Sequence, residues 1–154
     1  MTVEITRLKP NSLELQICAE WRYDAFLKSY GYSLLDSGAQ LNKLATQPDE
    51  YETALIALVD GRIAGICLLV LNEFEPLHDV SPWLASLYVA PEYRNQGVAR
   101  KLVVAIEEQA RSNGVARLHL YTGDAEEFYL KCGWSLAERG ITDGEPYAFM
   151  IRNL

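Results

Sequence analysis

The stretch SLYVAPEYRNQGVARKL, Ser86 to Leu102, joins a strand-like apolar run to an amphipathic segment. Pro91 ends the apolar run, because proline has no amide hydrogen to contribute to the centre of a sheet. Gly97 lies just before the amphipathic segment, where the lack of a Cβ permits an unusual backbone angle and the close approach of another molecule. The stretch therefore predicts a strand, a polar turn and the start of a helix.

The predicted helix start is a candidate anion site. The first amides of a helix have no intrahelical acceptor, and the helix dipole adds partial positive charge there. This combination suits a pyrophosphate, and Arg94 can add a full charge at the rim. A single glycine before a helix is equally typical of a plain structural turn, so the pattern alone leaves both interpretations open. The glycine patterns of dinucleotide and nucleoside triphosphate sites are absent, which argues against hydride transfer and nucleotide hydrolysis.

The remaining hydrophobic patterns predict one mixed α/β domain over residues 1–154. Asn11 and Glu14, three residues apart, predict the start of a helix after an alternating N-terminal strand. Asp60 and Gly61 predict a type I′ hairpin between two apolar strands. The order reads β-α-α-β-β-β-α-β-α-β-β, a central sheet with helices packed on its faces.

The helix of the opening stretch is predicted to run from Val98 to Ser112, with Glu107 off its apolar face. Gly114 is predicted to end this helix, and Asp124 is a candidate N-cap of the next one. The apolar face is predicted to contain Val98, Leu102, Val103, Ile106 and Ala110.

Composition narrows the classes of partner and location. The net charge is −7 and no cluster of Lys and Arg appears, which disfavours a nucleic-acid surface. The longest apolar runs, residues 54–59 and 63–71, are too short to cross a bilayer, and the first residues carry no secretion signal. We expect a cytoplasmic protein with no membrane association. Its cysteines, at positions 18, 67 and 132, lack metal-ligand spacing, so we expect reduced thiols and no metal.

Two motifs resemble those of a known family. Arg94-x-x-Gly97-x-Ala99, preceded by LYVAPEY, resembles the acetyl-CoA signature of the GNAT superfamily of N-acetyltransferases. The segment EEFYLKCGW, ending at Trp134, resembles the helix of that superfamily that ends in Gly-Phe/Trp. The strand order is similar over nearly the whole chain. The resemblance implies a single-domain GNAT-like fold, with about seven strands and about four helices, and acetyl-CoA as co-substrate.

The resemblance also implies which residues bind acetyl-CoA. Backbone amides at the helix start would hold the pyrophosphate, and the preceding strand would lie along the pantetheine arm. Main-chain groups of that strand could also stabilise the oxyanion that develops on the thioester. The implied cofactor-binding residues are Leu87, Tyr88, Val89, Arg94, Asn95, Gln96, Gly97, Val98 and Ala99.

Tyr129 matches the position that often supplies the general acid in the family, and its hydroxyl can donate a proton to sulfur. An aromatic residue that only packs under the sheet is the alternative.

The general base is not where the resemblance implies it. Many relatives have a glutamate two residues before the LYV triplet, and here that position is Ala85. The loop before this strand contains four other groups that could accept a proton, or simply face solvent. His78 and Glu75 are the base candidates, since an imidazole titrates near neutral pH. The other two groups are Glu73 and Asp79.

Two functions are compatible with these residues. The first is an N-acetyltransferase that moves acetyl directly to a primary amine of a small molecule or peptide; neither motif has a cysteine at a reacting position. The second is a catalytically silent acyl-CoA-binding module that acts as a sensor or through a protein partner. A homodimer is compatible with either function.

Overall fold

The computed structural model describes residues 1–46, 51–73 and 77–154. Within these ranges the chain forms seven β-strands and four α-helices in the predicted order, which confirms the fold class. A π-helical turn (Tyr23–Leu27) and a 3-10 turn (Lys28–Tyr30) follow the first helix, and a 3-10 turn (Pro91–Tyr93) follows the fourth strand. The elements are β1 (Val3–Arg7), α1 (Leu13–Arg22), α2 (Leu34–Thr46), β2 (Thr53–Val59), β3 (Arg62–Val70), β4 (Trp83–Val89), α3 (Val98–Ser112), β5 (Arg117–Thr122), α4 (Glu126–Lys131), β6 (Ser135–Thr142) and β7 (Glu145–Asn153).

The strands form a single sheet in the order β1-β2-β3-β4-β5-β7-β6. All neighbours are antiparallel except β4 and β5, whose register is one parallel pair, Trp83 with His119. Beyond this pair the two strands diverge, whereas β4 continues to pair with β3 as far as Val89 opposite Gly65. A gap, called here the β4–β5 gap, therefore opens in the middle of the sheet.

A bulge interrupts β4 just before this gap. Ile66 pairs with Tyr88 and Leu68 with Ala85, so Cys67 alone lies opposite two residues of β4. The first of those two, Ser86, has a φ of 53°. One extra residue in a left-handed conformation is the pattern of a bulge whose first position is usually glycine. The side chains that follow it therefore change faces of the sheet.

Helices bury both faces of the sheet. On one face α3 and α4 pack through a core that includes Leu102, Ile106 and Trp134. On the other face α1 and α2 pack around Leu41 and Ile66. Leu41, Leu102 and Ile106 are completely buried, and each such side chain contributes about 2 kcal/mol through burial. This packing holds the sheet rigid on both sides of the gap.

The local predictions are largely confirmed, with two corrections at helix starts. Asp60 and Gly61 have φ angles of 50° and 83°, as the predicted hairpin requires. The cap of α1 is Ser12 rather than Asn11: its hydroxyl accepts the Leu15 amide hydrogen at 3.1 Å. The N-cap position of α4 is Ala125 rather than Asp124, and its side chain makes no cap bond.

Helix α3 has the predicted bounds, and its five predicted apolar-face residues are all buried. Glu107 was predicted to lie off that face, and this is wrong, because its carboxylate is buried and paired. It accepts a hydrogen bond from Trp134 Nε1 at 2.9 Å, and its other oxygen lies 3.6 Å from Arg152 Nε. The pairing ties α3 to the start of β6 and to β7.

Candidate active site

The turn between β4 and α3 presents unpaired backbone amides to open space. Gly97 is the N-cap residue of α3, with a φ of 82°, and Asn95 two residues earlier has a φ of 62°. Lys101 donates to the Gly97 carbonyl at 3.2 Å, so the amides of Val98 and Ala99 precede the helical ladder. A Cβ added at Gly97 would meet no protein atom within 4 Å. This geometry fits the pyrophosphate site predicted for residues 96–99.

Arg94 fixes this turn against the end of β4. Its Nε donates to the Val89 carbonyl at 2.8 Å, and its guanidinium carbon lies 5.4 Å from the centre of the Tyr88 ring. Gln96 adds a bond from its side-chain nitrogen to the Glu92 carbonyl at 3.2 Å. Arg94, whose charge is predicted to lie at the rim of the anion site, is therefore held in place by a preorganised turn.

Main-chain groups of β4 line the gap. Ala90 donates its amide hydrogen to the carbonyl oxygen of Ala64 in β3, at 2.8 Å. Because amides along a strand alternate between its two sides, those of Val89 and Leu87 are directed to the β5 side. No β5 residue pairs with them in the part of the chain that the structure describes. These amides are available to a ligand that enters the gap as an added strand would.

Tyr129 lies on α4 with its side chain buried in the core on the α3 side of the sheet. Within the described ranges its hydroxyl makes no hydrogen bond, and burial raises the pKa of Tyr129 far above its usual value. Tyr129 and Cys67, which lies opposite the β4 bulge, belong to the same hydrophobic core. The phenol is therefore protonated at neutral pH and lies on the α3 side of the sheet.

The FYLKCGW motif positions Tyr129 through the end of α4. Trp134 donates its amide hydrogen to the Tyr129 carbonyl and Gly133 to the Leu130 carbonyl, both at 3.0 Å, which is a Schellman motif. Gly133 has a φ of 95°, and a Cβ there would lie 2.6 Å from Arg152 Nη1. The Trp134 ring packs edge-on against Tyr129 at 5.9 Å between centroids. The glycine and the tryptophan of the motif thus explain where the tyrosine lies.

Of the two predicted base candidates, the structure describes only His78. Glu75 lies outside the described residues. His78 stacks on Phe149, its Nδ1 lies 2.7 Å from the Tyr121 hydroxyl, and its Nε2 pairs with Glu138. Both ring nitrogens are therefore engaged, and the contacts of His78 attach its loop to β5, β6 and β7. Its role as a base stays a prediction.

Glu73, in the same loop, is a half-buried acid. Burial raises the pKa of its carboxyl from 4.5 to about 7, although the positive charge of Arg22 acts in the opposite direction. Ala85, at the position where many relatives have glutamate, is buried in the core beneath α1 and α2. The sequence identifies Glu73 only as one acid in a charged loop, because neither its burial nor its partner is visible there.

Two further polar side chains, both on β5, have structural partners. Thr122 Oγ1 accepts the Ala125 amide hydrogen at 3.0 Å and so caps the turn before α4. His119 is buried, and its Nδ1 lies 3.0 Å from the Pro82 carbonyl oxygen at the start of β4. Neither side chain is directed by these contacts to a ligand.

Two features are absent from residues 1–46, 51–73 and 77–154. No three His, Cys, Asp or Glu side chains there are grouped so that they could hold a metal ion. No helix in those ranges is long and apolar enough to span a bilayer.

The chain belongs to the acetyltransferase (GNAT) family, whose sequence model matches residues 15–134. A curated relative, the "Uncharacterized N-acetyltransferase in hisH-hisA intergenic region" of Azospirillum brasilense, is 40% identical over 68 residues. The match covers 42% of this chain and 39% of that protein, so it spans about two fifths of the relative.

Solved structures show the same fold over almost the full length. A GNAT acetyltransferase from Streptococcus pneumoniae has a TM-score of 0.73 at 17% identity, covering 99% of this chain and 100% of its own. An aminoglycoside 6'-N-acetyltransferase complexed with coenzyme A has a TM-score of 0.75 at 16% identity, covering 97% and 96%. The protein named yncA from Salmonella typhimurium, solved with its cofactor acetyl-CoA, has a TM-score of 0.75 at 14% identity, covering 99% and 94%. Structural neighbours thus bind CoA or acetyl-CoA.

Proposed function

We propose that this protein transfers the acetyl group of acetyl-CoA to a primary amine by direct attack of the amine on the thioester. One observation carries the proposal. The β4–β5 gap opens along β4, the amide-rich turn at Gly97 follows that strand, and the protonated phenol of Tyr129 lies in the core on the α3 side of the sheet. Each of these features matches one requirement of the reaction, namely a place for the acyl arm, a place for the pyrophosphate and a proton donor.

The amides of β4 and of α3 hold the acyl donor in this proposal. Acetyl-CoA supplies an activated acyl carbon and a thiolate leaving group. The Leu87 amide donates to the carbonyl oxygen, where negative charge develops as the amine nitrogen bonds to carbon, and the Val89 amide binds the pantetheine arm further along the strand. Preorganised donors of this kind contribute roughly 3 kcal/mol each to catalysis. The amides of residues 96–99 bind the pyrophosphate.

Two side chains handle the protons. Tyr129 holds the proton that goes to sulfur as the carbon–sulfur bond breaks, and its raised pKa keeps that proton in place at neutral pH. Glu73 accepts the proton that the amine loses, because its pKa of about 7 makes it ionised for part of the time and basic enough to act. Among the groups of the loop, Glu73 replaces His78 and Glu75 as the preferred base.

Tyr129→Phe tests the proposal. Free thiol is measured while the protein is incubated with acetyl-CoA and a panel of primary amines. Calorimetry measures the binding of acetyl-CoA. We expect the variant to lose about 100-fold in kcat, because a positioned general acid contributes at least that much. Its affinity for acetyl-CoA should stay within about twofold, since the ring is retained.

Tyr147→Phe is the matched control, because it removes a tyrosine hydroxyl from β7 and should leave both quantities unchanged. Equal losses of kcat and affinity in Tyr129→Phe would show that the residue is structural. Tight binding of acetyl-CoA by the wild type, without transfer to any amine, would contradict the enzyme and support the acyl-CoA-binding module.

A further inference from the structure

A buried arginine connects helices α1 and α2 to the β4 bulge. Arg22 is the last residue of α1, and 4% of its surface is exposed. Its Nε donates to Ser86 Oγ at 3.0 Å, and its Nη1 donates to Gln40 Oε1 of α2 at 2.6 Å. Burial lowers the pKa of Arg22 to about 10, so the guanidinium remains charged at neutral pH. A buried charge with such partners is fixed in position.

The partner of Arg22 on β4 has a backbone conformation that only glycine adopts freely. Ser86 has a φ of 53°, in the left-handed region where a Cβ crowds the following carbonyl. At the first position of this kind of bulge, glycine is the usual residue. A serine there needs an outside contact to hold it, and the bond from Arg22 Nε to its hydroxyl is such a contact.

The bulge determines on which face of the sheet the β4 side chains along the gap are packed. Ala85 packs on the α1 and α2 side of the sheet, whereas Leu87, two residues later, packs on the α3 side. In a regular strand the two would share a face. The extra residue therefore sets the direction of every side chain and amide from Leu87 to Val89. A slip at Ser86 would turn the Leu87 amide away from the β4–β5 gap.

We propose that Arg22 is a positioning residue that holds Ser86 in its left-handed conformation and so directs the Leu87 amide into the β4–β5 gap. Gln40 fixes the other side of the same guanidinium, so α1 and α2 both support the bulge. The effect on catalysis rests on the proposed function, whereas the effect on the Ser86 backbone does not.

A double-mutant cycle measures whether Arg22 acts through Ser86. Glycine at position 86 adopts the left-handed angle of the bulge without support from a hydroxyl, so Ser86→Gly should keep kcat within about twofold of the wild type. Arg22→Met and Ser86→Ala should each lower kcat about tenfold, because a non-glycine residue then adopts the left-handed angle without support. In the Ser86→Gly background, Arg22→Met should cost no more than about twofold. The KM for acetyl-CoA should change less than kcat throughout.

Gln40→Met is the control, since it removes the other bond of the guanidinium and leaves the bond to Ser86. It should lower kcat less than Ser86→Ala does. A tenfold loss from Arg22→Met in both backgrounds would overturn the proposal. Thermal unfolding verifies that each variant is folded, and Ser86→Ala carries the test if Arg22→Met does not fold, because it removes no charge.

NMR of the Ser86 backbone provides a readout that needs no activity. The Cα and Cβ chemical shifts of residue 86 report its φ angle. In Arg22→Met they should move from left-handed toward extended values, and in Gln40→Met they should not. Unchanged shifts in Arg22→Met would overturn the proposal. If the wild type transfers acetyl to no amine, the proposed function fails and these shifts alone decide whether Arg22 holds the bulge.

Discussion

Gly97 combines a left-handed φ of 82° with empty space where a side chain would start. Glycine is therefore favoured at position 97 for two reasons, and experiments can separate them. Any other residue there incurs backbone strain, of about 1 kcal/mol or more. A Cβ would also point into the volume that we assign to the pyrophosphate. The second effect exists only if a ligand binds at this turn.

Gly97→Ala should weaken acetyl-CoA binding at least tenfold, because the added methyl group occupies the space in front of the helix amides. Calorimetry with acetyl-CoA gives the affinity, and thermal unfolding gives the stability. Gly114→Ala is matched in strain, with a φ of 79° and no atom within 4 Å, but it lies beyond the other end of α3. Both variants should lose similar stability. Equal affinities in the two would contradict the pyrophosphate site.

Some single residues could be predicted from the sequence because their cause is local. Gly97 adjoins a helix start and Gly133 a helix end, and both positions favour glycine within a few residues of chain. Arg22 and Glu73 could not be predicted in the same way. Their roles depend on burial and on partners from other elements. One signal was present for Arg22, since it extends the buried stripe of Leu15, Cys18 and Ala19 on α1.

Strand β3 supports the part of β4 that borders the gap. Gly65 lies opposite Val89, and a Cβ at Gly65 would lie 2.8 Å from the Tyr88 carbonyl oxygen and 3.1 Å from Leu102 Cδ1. Both neighbours belong to rigid elements. The glycine therefore allows β3, β4 and α3 to approach closely at the place where β4 meets the proposed acyl site.

Gly65→Ala should destabilise the protein by about 1 to 3 kcal/mol, as overpacking of a core does, and should raise the KM for acetyl-CoA. Urea unfolding and steady-state kinetics measure the two effects. Gly38→Ala on α2 is the matched control: its Cβ would meet Ala19 Cβ at 3.9 Å, an ordinary contact. A helical Gly-to-Ala change there should instead stabilise by about 0.5 to 1 kcal/mol. A stable Gly65→Ala variant with unchanged KM would refute the close approach as a constraint on β4.

Regular elements were predictable from their periodicity, whereas irregular ones were not. The Asp60-Gly61 hairpin and the whole of α3 follow from spacing alone. The β4 bulge has no such signal, because Ser86 is a common strand residue and its conformation depends on Arg22 from a distant helix. Glu107 was misplaced for the same reason: the sequence shows a charge on a helix, but not the Trp134 indole that donates a hydrogen bond to it or the Arg152 side chain that pairs with it.

The whole molecule assembles its candidate site from both halves of the chain. The first half contributes Arg22 and Glu73, and the second half contributes the α3 turn and Tyr129. The sheet order places the gap between them, because β5 joins β4 at a single pair before diverging. The resemblance of two motifs was enough to predict the class of fold, although not the order of the strands in the sheet. It was not enough to predict the base, which depends on how a loop packs against a helix.

The pH dependence of activity should reflect Glu73, which ionises with a pKa of about 7. A base acts only when deprotonated, so kcat/KM should fall about tenfold per pH unit below 7 and level off above it. In Glu73→Gln the plateau should drop and this bend near pH 7 should vanish. Any remaining bend at higher pH then belongs to the acceptor amine.

The same group predicts the sign of a stability change. Burial raises the pKa of Glu73 in the folded protein above its ordinary value of 4.5, so folding favours the protonated carboxyl. The stabilisation is complete below pH 4.5 and is lost as the pH rises toward 7. Urea unfolding measures the free energy of unfolding of the wild type and of Glu73→Gln. Relative to the variant, the wild type should become less stable as the pH rises from 4.5 to 7, and the difference between the two should be constant above pH 7. A constant difference across the whole range would mean that Glu73 titrates normally, and the base would then have to be sought elsewhere in the loop.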